Sequence, residues 1–225
     1  ATPFACPIIP RSDTKGTGQP MSDKKKVWVH GSYDSVWDHY VEEEFPKIQA
    51  AEAFANKQLK PWRVLNRVDQ EYHWPGDEWG DRASALALFN AAVDLEAADH
   101  LIEIGSGSGR YTQLALECLK PSRLLSFDVS PAFEKALRDR FNGPVKAGQI
   151  ETYQIDANPR GIVDKVRERG LIGQIDALYS FDALVHVDLH TVFIYWLSAT
   201  KLLREGGRLA MNVADASSDH GFQKL

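Results

Sequence analysis

Residues 100–112, HLIEIGSGSGRYT, constrain the fold more than any other stretch. An apolar run of strand length ends in a turn with glycine at 105, 107 and 109, and a helical pattern starts directly after it. Parallel strands need a crossover, which is usually a helix, so a strand feeding a helix through a tight turn belongs to a parallel sheet. The chain after Asp99 keeps to this alternation. Short apolar runs at 100–104, 123–127, 151–155, 174–180 and 207–213 alternate with helical periodicities near 109–119, 131–141, 160–169 and 189–204. The predicted fold class is α/β, a three-layer α/β/α sandwich with a mostly parallel sheet over 98–225.

The chain before this core reads differently. Residues 1–30, with PIIP and GTGQP and little periodicity, are expected to form a flexible arm, and Met21 is a candidate native start. Residues 31–97 are expected to be a helical extension. DSVWDHYVEEEF has helical spacing with Asp34 or Ser35 as cap, Pro46 ends or restarts that helix, and KIQAAEAFANKQL makes a second one. RASALALFNAAVDL makes a third, capped by Asp81. Between them, the aromatic, turn-rich segment 61–81 is expected to fold over a ligand as a lid. Tyr72, Trp74 and Trp79 are its contact residues, with His73 beside them; packing of the tryptophans on the sheet is the plainer alternative. On the lid reading, loss of the Trp79 ring weakens acceptor binding more than cofactor binding.

Ligands of open parallel sheets sit at the carboxyl ends of the strands, where Gly105, Gly107 and Gly109 lie. A dinucleotide site requires G-x-G-x-x-G/A, and Arg110 or Thr112 breaks that spacing from either starting glycine. The stretch is instead E-x-G-x-G-x-G, with Glu103 at the strand end, where an acid repels a pyrophosphate and attracts a cation.

EIGSGSG resembles the first motif of the class I S-adenosylmethionine-dependent methyltransferases, and the resemblance extends over about 80–215. It implies a Rossmann-like core. It also implies that Glu103, Gly105, Ser106, Gly107 and Gly109 serve S-adenosylmethionine, with S-adenosylhomocysteine as product. Asp128, which ends the second strand with Val129 beside it, is suited to accept both ribose hydroxyls, and Asp156 with Ala157 would meet the adenine. Capping or turn formation is the plainer role for both acids. Ser180 and Phe181 would pass the methionyl part. Asp182, His186 and Asp188 follow within reach of an acceptor, and His186 is the candidate base because imidazole titrates near neutral pH; a purely structural His186 is the alternative. ATKLLREGGRLAMNV resembles the family's helix, glycine turn and fifth strand, with Gly206 and Gly207 ending the helix.

Departures from the family limit the reading. SFDA stands where base and glutamine methylases carry N/D-P-P-Y/F, which argues against those acceptors. Only 214–225 follow the fifth strand, so the family's closing helix and C-terminal hairpin are absent from this sequence; a further segment of a longer chain or a homo-oligomer partner is expected to cover the edge strand. Asp182 and Asp215 make a weak metal pair, and no metal is expected. A net charge of -5 disfavours nucleic acid, and Lys24–Lys26 reads as a solvated run. Two cysteines, Cys6 and Cys118, make no disulfide framework; Cys118 reads as a buried thiol in a reducing, cytoplasmic setting, and no run reaches membrane-spanning length. The expected function is methylation of an oxygen or nitrogen of a small molecule. The alternatives are a silent cofactor-binding module of a larger assembly and an aminopropyl transferase using Asp182 and Asp188.

Overall fold

The computed structural model describes residues 33–58, 73–156, 159–215 and 217. The arm at 1–30, Tyr72, Ala157 and nearly everything after Asp215 lie outside the described residues, and with them the expectations about Met21 and the chain's end.

Five strands form one parallel sheet: β1 (His100–Ile104), β2 (Arg123–Asp128), β3 (Ile150–Gln154), β4 (Ile175–Ser180) and β5 (Leu203–Met211), in the order β3-β2-β1-β4-β5. The chain runs outward from β1 to β3, then crosses back to β4 on the other side of β1. That reversal opens a crevice above the carboxyl ends of β1 and β4. The three central strands β2, β1 and β4 are buried nearly throughout because both faces are covered, while the edge strands β3 and β5 are more polar and exposed. On one face Leu101, Leu124 and Tyr179 pack with Phe89 and Leu114, and on the other Ile102, Leu125 and Leu178 pack with Ile162, Val166 and Ala199. Successive strand residues point to opposite faces, so each strand feeds both clusters.

The helices are α1 (Tyr33–His39), α2 (Phe45–Gln58), α3 (Arg82–Val93), α4 (Arg110–Cys118), α5 (Pro131–Arg140), α6 (Asn142–Lys146), α7 (Arg160–Glu168) and α8 (Leu189–Leu202). Capping side chains set three of their starts: Asp81 accepts from Ser84 N, Ser130 from Phe133 N, and Asp188 from Thr191 N. Cys118 is half-buried and packs against the core.

One expectation is narrowed and two are corrected. Pro46 does not end the helical run but stands as the second residue of α2, where the α-helix restarts. A π-helical turn, Tyr40–Glu44, joins α1 to α2, with the Phe45 N–H bonded to Tyr40 O; the wider turn carries the chain past a residue that lacks an N–H. Asp34 and Ser35 lie inside α1 and are not its cap. Gly206 and Gly207 do not end α8, which stops at Leu202 with Leu203 already extended. The glycines sit in an irregularity of β5, where pairing to β4 steps from Ile175↔Leu203 to Ala177↔Arg208. Gly206, at φ 72, has the left-handed backbone that a helix end and a bulge both use.

Candidate functional site

The crevice is a cavity of about 440 Å³. Its first wall is the glycine turn. Gly105, Gly107 and Gly109 all have positive φ. At Gly105 a Cβ would lie 2.1 Å from the Ala183 Cβ, and at Gly109 a Cβ would lie 2.3 Å from the Phe141 ring. Gly107 is different: its nearest neighbour would be Phe133, at 3.7 Å. Two of the glycines therefore permit close packing, and Gly107 is the one that leaves the cavity open.

Asp128 joins β2 to this turn. One oxygen accepts from Gly107 N at 2.8 Å and the other from Ser130 N at 2.9 Å. Burial pushes its carboxyl up to about 6, against these N–H bonds, which lower it. At neutral pH it is ionised, and a carboxylate with two donors still has lone pairs for two more. A diol placed here would fill them.

The second wall is the loop after β4. Phe181 stacks on Tyr111 with centroids 4.6 Å apart. Asp182 has φ 61, an uncommon value for a side-chain-bearing residue. A reciprocal amide–carboxylate pair holds it there: Asp182 N donates to Asn212 Oδ1 at 2.8 Å, and Asn212 Nδ2 donates to Asp182 Oδ1 at 3.0 Å. The other oxygen faces Tyr111 Oη at 3.4 Å and Arg110 at 3.6 Å. His186 ends a short 3-10 turn, Leu184–His186, and meets the Trp37 ring edge-on at 5.3 Å.

The roof comes from the chain before the core. Trp37 also packs against Phe133 of α5 and against Trp79, each at 5.9 Å, so one ring spans the cavity from the α5 side to the β4 loop. Three ties hold the roof to the core: Asp38 accepts from Ser130 Oγ at 2.7 Å, Ser108 Oγ donates to Pro75 O at 2.6 Å, and Arg140 pairs with Asp77 at 3.0 Å, while Tyr40 Oη donates to Glu78 within the roof.

Of the residues expected from sequence, Gly105, Ser106, Gly107, Asp128, Val129, Phe181, Asp182, His186, Asp188 and Trp79 line this one cavity. The others that are described do not. Glu103 is sealed behind the turn at 2% exposure, bonded to Thr112 Oγ1; burial pushes its carboxyl up to about 8, so at neutral pH it is mostly an uncharged acid and no magnet for a cation. Gly109 packs on Phe141. Ser180 is fully buried and donates to Ile104 O at 2.9 Å, tying β4 to β1. Asp156 is exposed beyond the wall, where its neighbour Ile155 stands instead. Trp74 makes a turn, donating its N–H to Asp77, and His73 is exposed outside the wall. Asp188 lines the cavity but is held as the cap of α8.

Sequence reasoning missed Trp37, Arg110, Tyr111, Phe133 and Tyr195, all in the wall. Only Arg110 and Tyr111 carried a signal, as the first residues after the third glycine. Among the described residues no group of three His, Cys, Asp or Glu gathers as metal ligands, and no helix is long and apolar enough to cross a membrane.

A parallel sheet of this order, with an acid at the end of β2 bonded to a glycine turn after β1, is a Rossmann-like fold. Residues 102–209, just under half of the chain, match the family model described as a methyltransferase domain. This segment is similar to a methyltransferase domain. The chain is similar in fold to Haemonchus contortus phosphoethanolamine N-methyltransferase 1, solved with phosphoethanolamine and S-adenosylhomocysteine. The TM-score is 0.51 at 19% identity over 82% of this chain and 32% of that one. Lower similarity extends to geranyl diphosphate C-methyltransferase from Streptomyces coelicolor A3(2), with TM-score 0.45, 15% identity, and 58% and 46% of the two chains covered. A methyltransferase from Thiobacillus denitrificans solved with S-adenosylhomocysteine gives TM-score 0.40, 21% identity, and 57% and 47% covered. The chain thus spans less than half the length of these three proteins. No curated protein matches by sequence.

Proposed function

We propose that this domain uses S-adenosylmethionine to methylate an oxygen or nitrogen of a small molecule. The observation that carries the reading is the continuity of the cavity. It runs from Asp128 and Gly107 at one end to Asp182 and His186 at the other, beneath an aromatic roof. When bound, the cofactor supplies an electrophilic methyl group and leaves as S-adenosylhomocysteine.

The chain's own residues divide the remaining work. Asp128 accepts the ribose hydroxyls, and Gly107, with no side chain, lets the nucleoside approach the backbone. Phe181 and Tyr111 stack as a flat floor beside the β4 loop. Trp37, Trp79 and Phe133 exclude water and align the acceptor, which is the larger source of rate in a displacement between two bound groups. His186 takes the acceptor's proton. An aromatic, narrow and roofed site suits a small molecule better than a polymer.

Transfer of isotopically labelled methyl to a panel of small alcohols, phenols and amines tests this. The expected result is labelling of at least one, with kcat reduced about 10²-fold in His186→Gln and S-adenosylhomocysteine affinity kept. Cofactor binding without transfer to any acceptor would replace this reading with a silent binding module.

A further inference from the structure

We infer that Tyr195 reads the base of the bound nucleoside through its phenol hydroxyl. The inference rests on the proposed reading of the cavity as an S-adenosylmethionine site.

Tyr195 stands on α8, one turn after Thr191, and is 4% exposed. Its ring packs in the apolar cluster that holds Ile155 and Leu184, and it also lines the cavity. Its hydroxyl has no hydrogen-bond partner among the described residues. A buried tyrosine hydroxyl is normally bonded, so an unmet one that borders a cavity is a group kept for a ligand. Tyr179 makes the contrast: its hydroxyl is sealed in the core and aims at no cavity.

Position assigns the ligand group. Tyr195 packs with Ile155, just after β3, and shares the cavity wall with Asp128 at the end of β2. With the ribose on Asp128 and the methyl-bearing end toward 181–188, the base falls on the β3 side, over Ile155 and Tyr195. The acid expected there, Asp156, stands outside the wall, and among the described residues Tyr195 is a polar side chain that lines the cavity beside Ile155. Burial and the two neighbouring carboxylates hold the phenol in its neutral form, so it both donates and accepts. A purine edge presents donors and acceptors side by side, and one hydroxyl satisfies either.

Tyr195→Phe removes the oxygen and leaves the ring. The test is calorimetric titration of wild type and variant with S-adenosylhomocysteine. A competition titration with S-ribosylhomocysteine, which has the same sugar and amino acid but no base, completes it. Loss of one neutral hydrogen bond predicts about three- to tenfold weaker S-adenosylhomocysteine binding, unchanged S-ribosylhomocysteine binding, and a melting temperature no lower than wild type. Equal S-adenosylhomocysteine affinity in both proteins, or equal losses for the two ligands, overturns the inference alone. Failure of wild type to bind S-adenosylhomocysteine removes the cofactor reading and this inference with it.

Discussion

The two walls of the cleft are built by different means. The wall at the glycine turn is local in sequence, contained between residues 103 and 130, and is made largely of backbone. Its polar groups are already paired: Asp128 with two N–H groups, Ser126 with Ser106, Glu103 with Thr112. The wall opposite is assembled from residues 37, 79, 110, 182, 186 and 212, and it is made of side chains. It holds an aspartate at positive φ through a reciprocal pair with Asn212 and contacts to Tyr111 and Arg110. Backbone-built walls bind what a whole family binds, while side-chain walls change with little cost to the fold. On the proposed function, cofactor affinity falls to the first wall and acceptor selectivity to the second.

The sharpest way to break this contrast is at Gly105. A methyl group there meets Ala183 and forces an alanine into φ 68. Gly105→Ala is expected to destabilise the domain by about 3 kcal/mol or more in chemical denaturation, and Ala183→Gly in the same chain should recover part of it. A neutral Gly105→Ala would mean the first wall is not rigid.

Trp79→Ala addresses the roof. Trp79 stacks among Tyr40, Trp37 and Phe133, rings that reach from α1 to α5. The expectation is about tenfold weaker acceptor binding and a smaller loss for S-adenosylhomocysteine, read by titration. Equal losses would assign the roof to both walls.

A further test is on pH. Glu103 has a folded-state carboxyl near 8 against an ordinary value near 4.5, with burial as the largest cause. The folded state therefore holds its proton longer than the unfolded state does. That contribution to stability is fully present below about 4.5, shrinks as pH rises, and is gone above about 8. Asp128, raised to about 6, acts in the same direction over a lower window. Melting temperature should fall between pH 5 and 8, and Glu103→Gln should flatten the fall. An unchanged slope would place the titration elsewhere.

The same contrast explains what the sequence disclosed. The alternation of strands and helices, the cap at Asp81, and the glycine turn with Asp128 are local features, decided by residues a few positions apart. Trp37, Phe133 and Tyr195 are ordinary aromatics in helical patterns, and only packing brings them to one cavity. Glu103 was misjudged because burial, which sequence does not display, turns a charged acid into a neutral one. Gly206 was misplaced because helix ends and bulges use the same backbone angle.

The central claim is that the glycine turn and Asp128 form a nucleoside site for a sulfonium cofactor and not for a dinucleotide. Its most direct test is calorimetric titration of this chain and of Asp128→Asn with S-adenosylhomocysteine and with NAD. The account predicts binding of S-adenosylhomocysteine, none of NAD, and a loss of roughly 10- to 100-fold in Asp128→Asn, the range for hydrogen bonds to a charged group. Binding of NAD, or S-adenosylhomocysteine binding indifferent to Asp128, would contradict it.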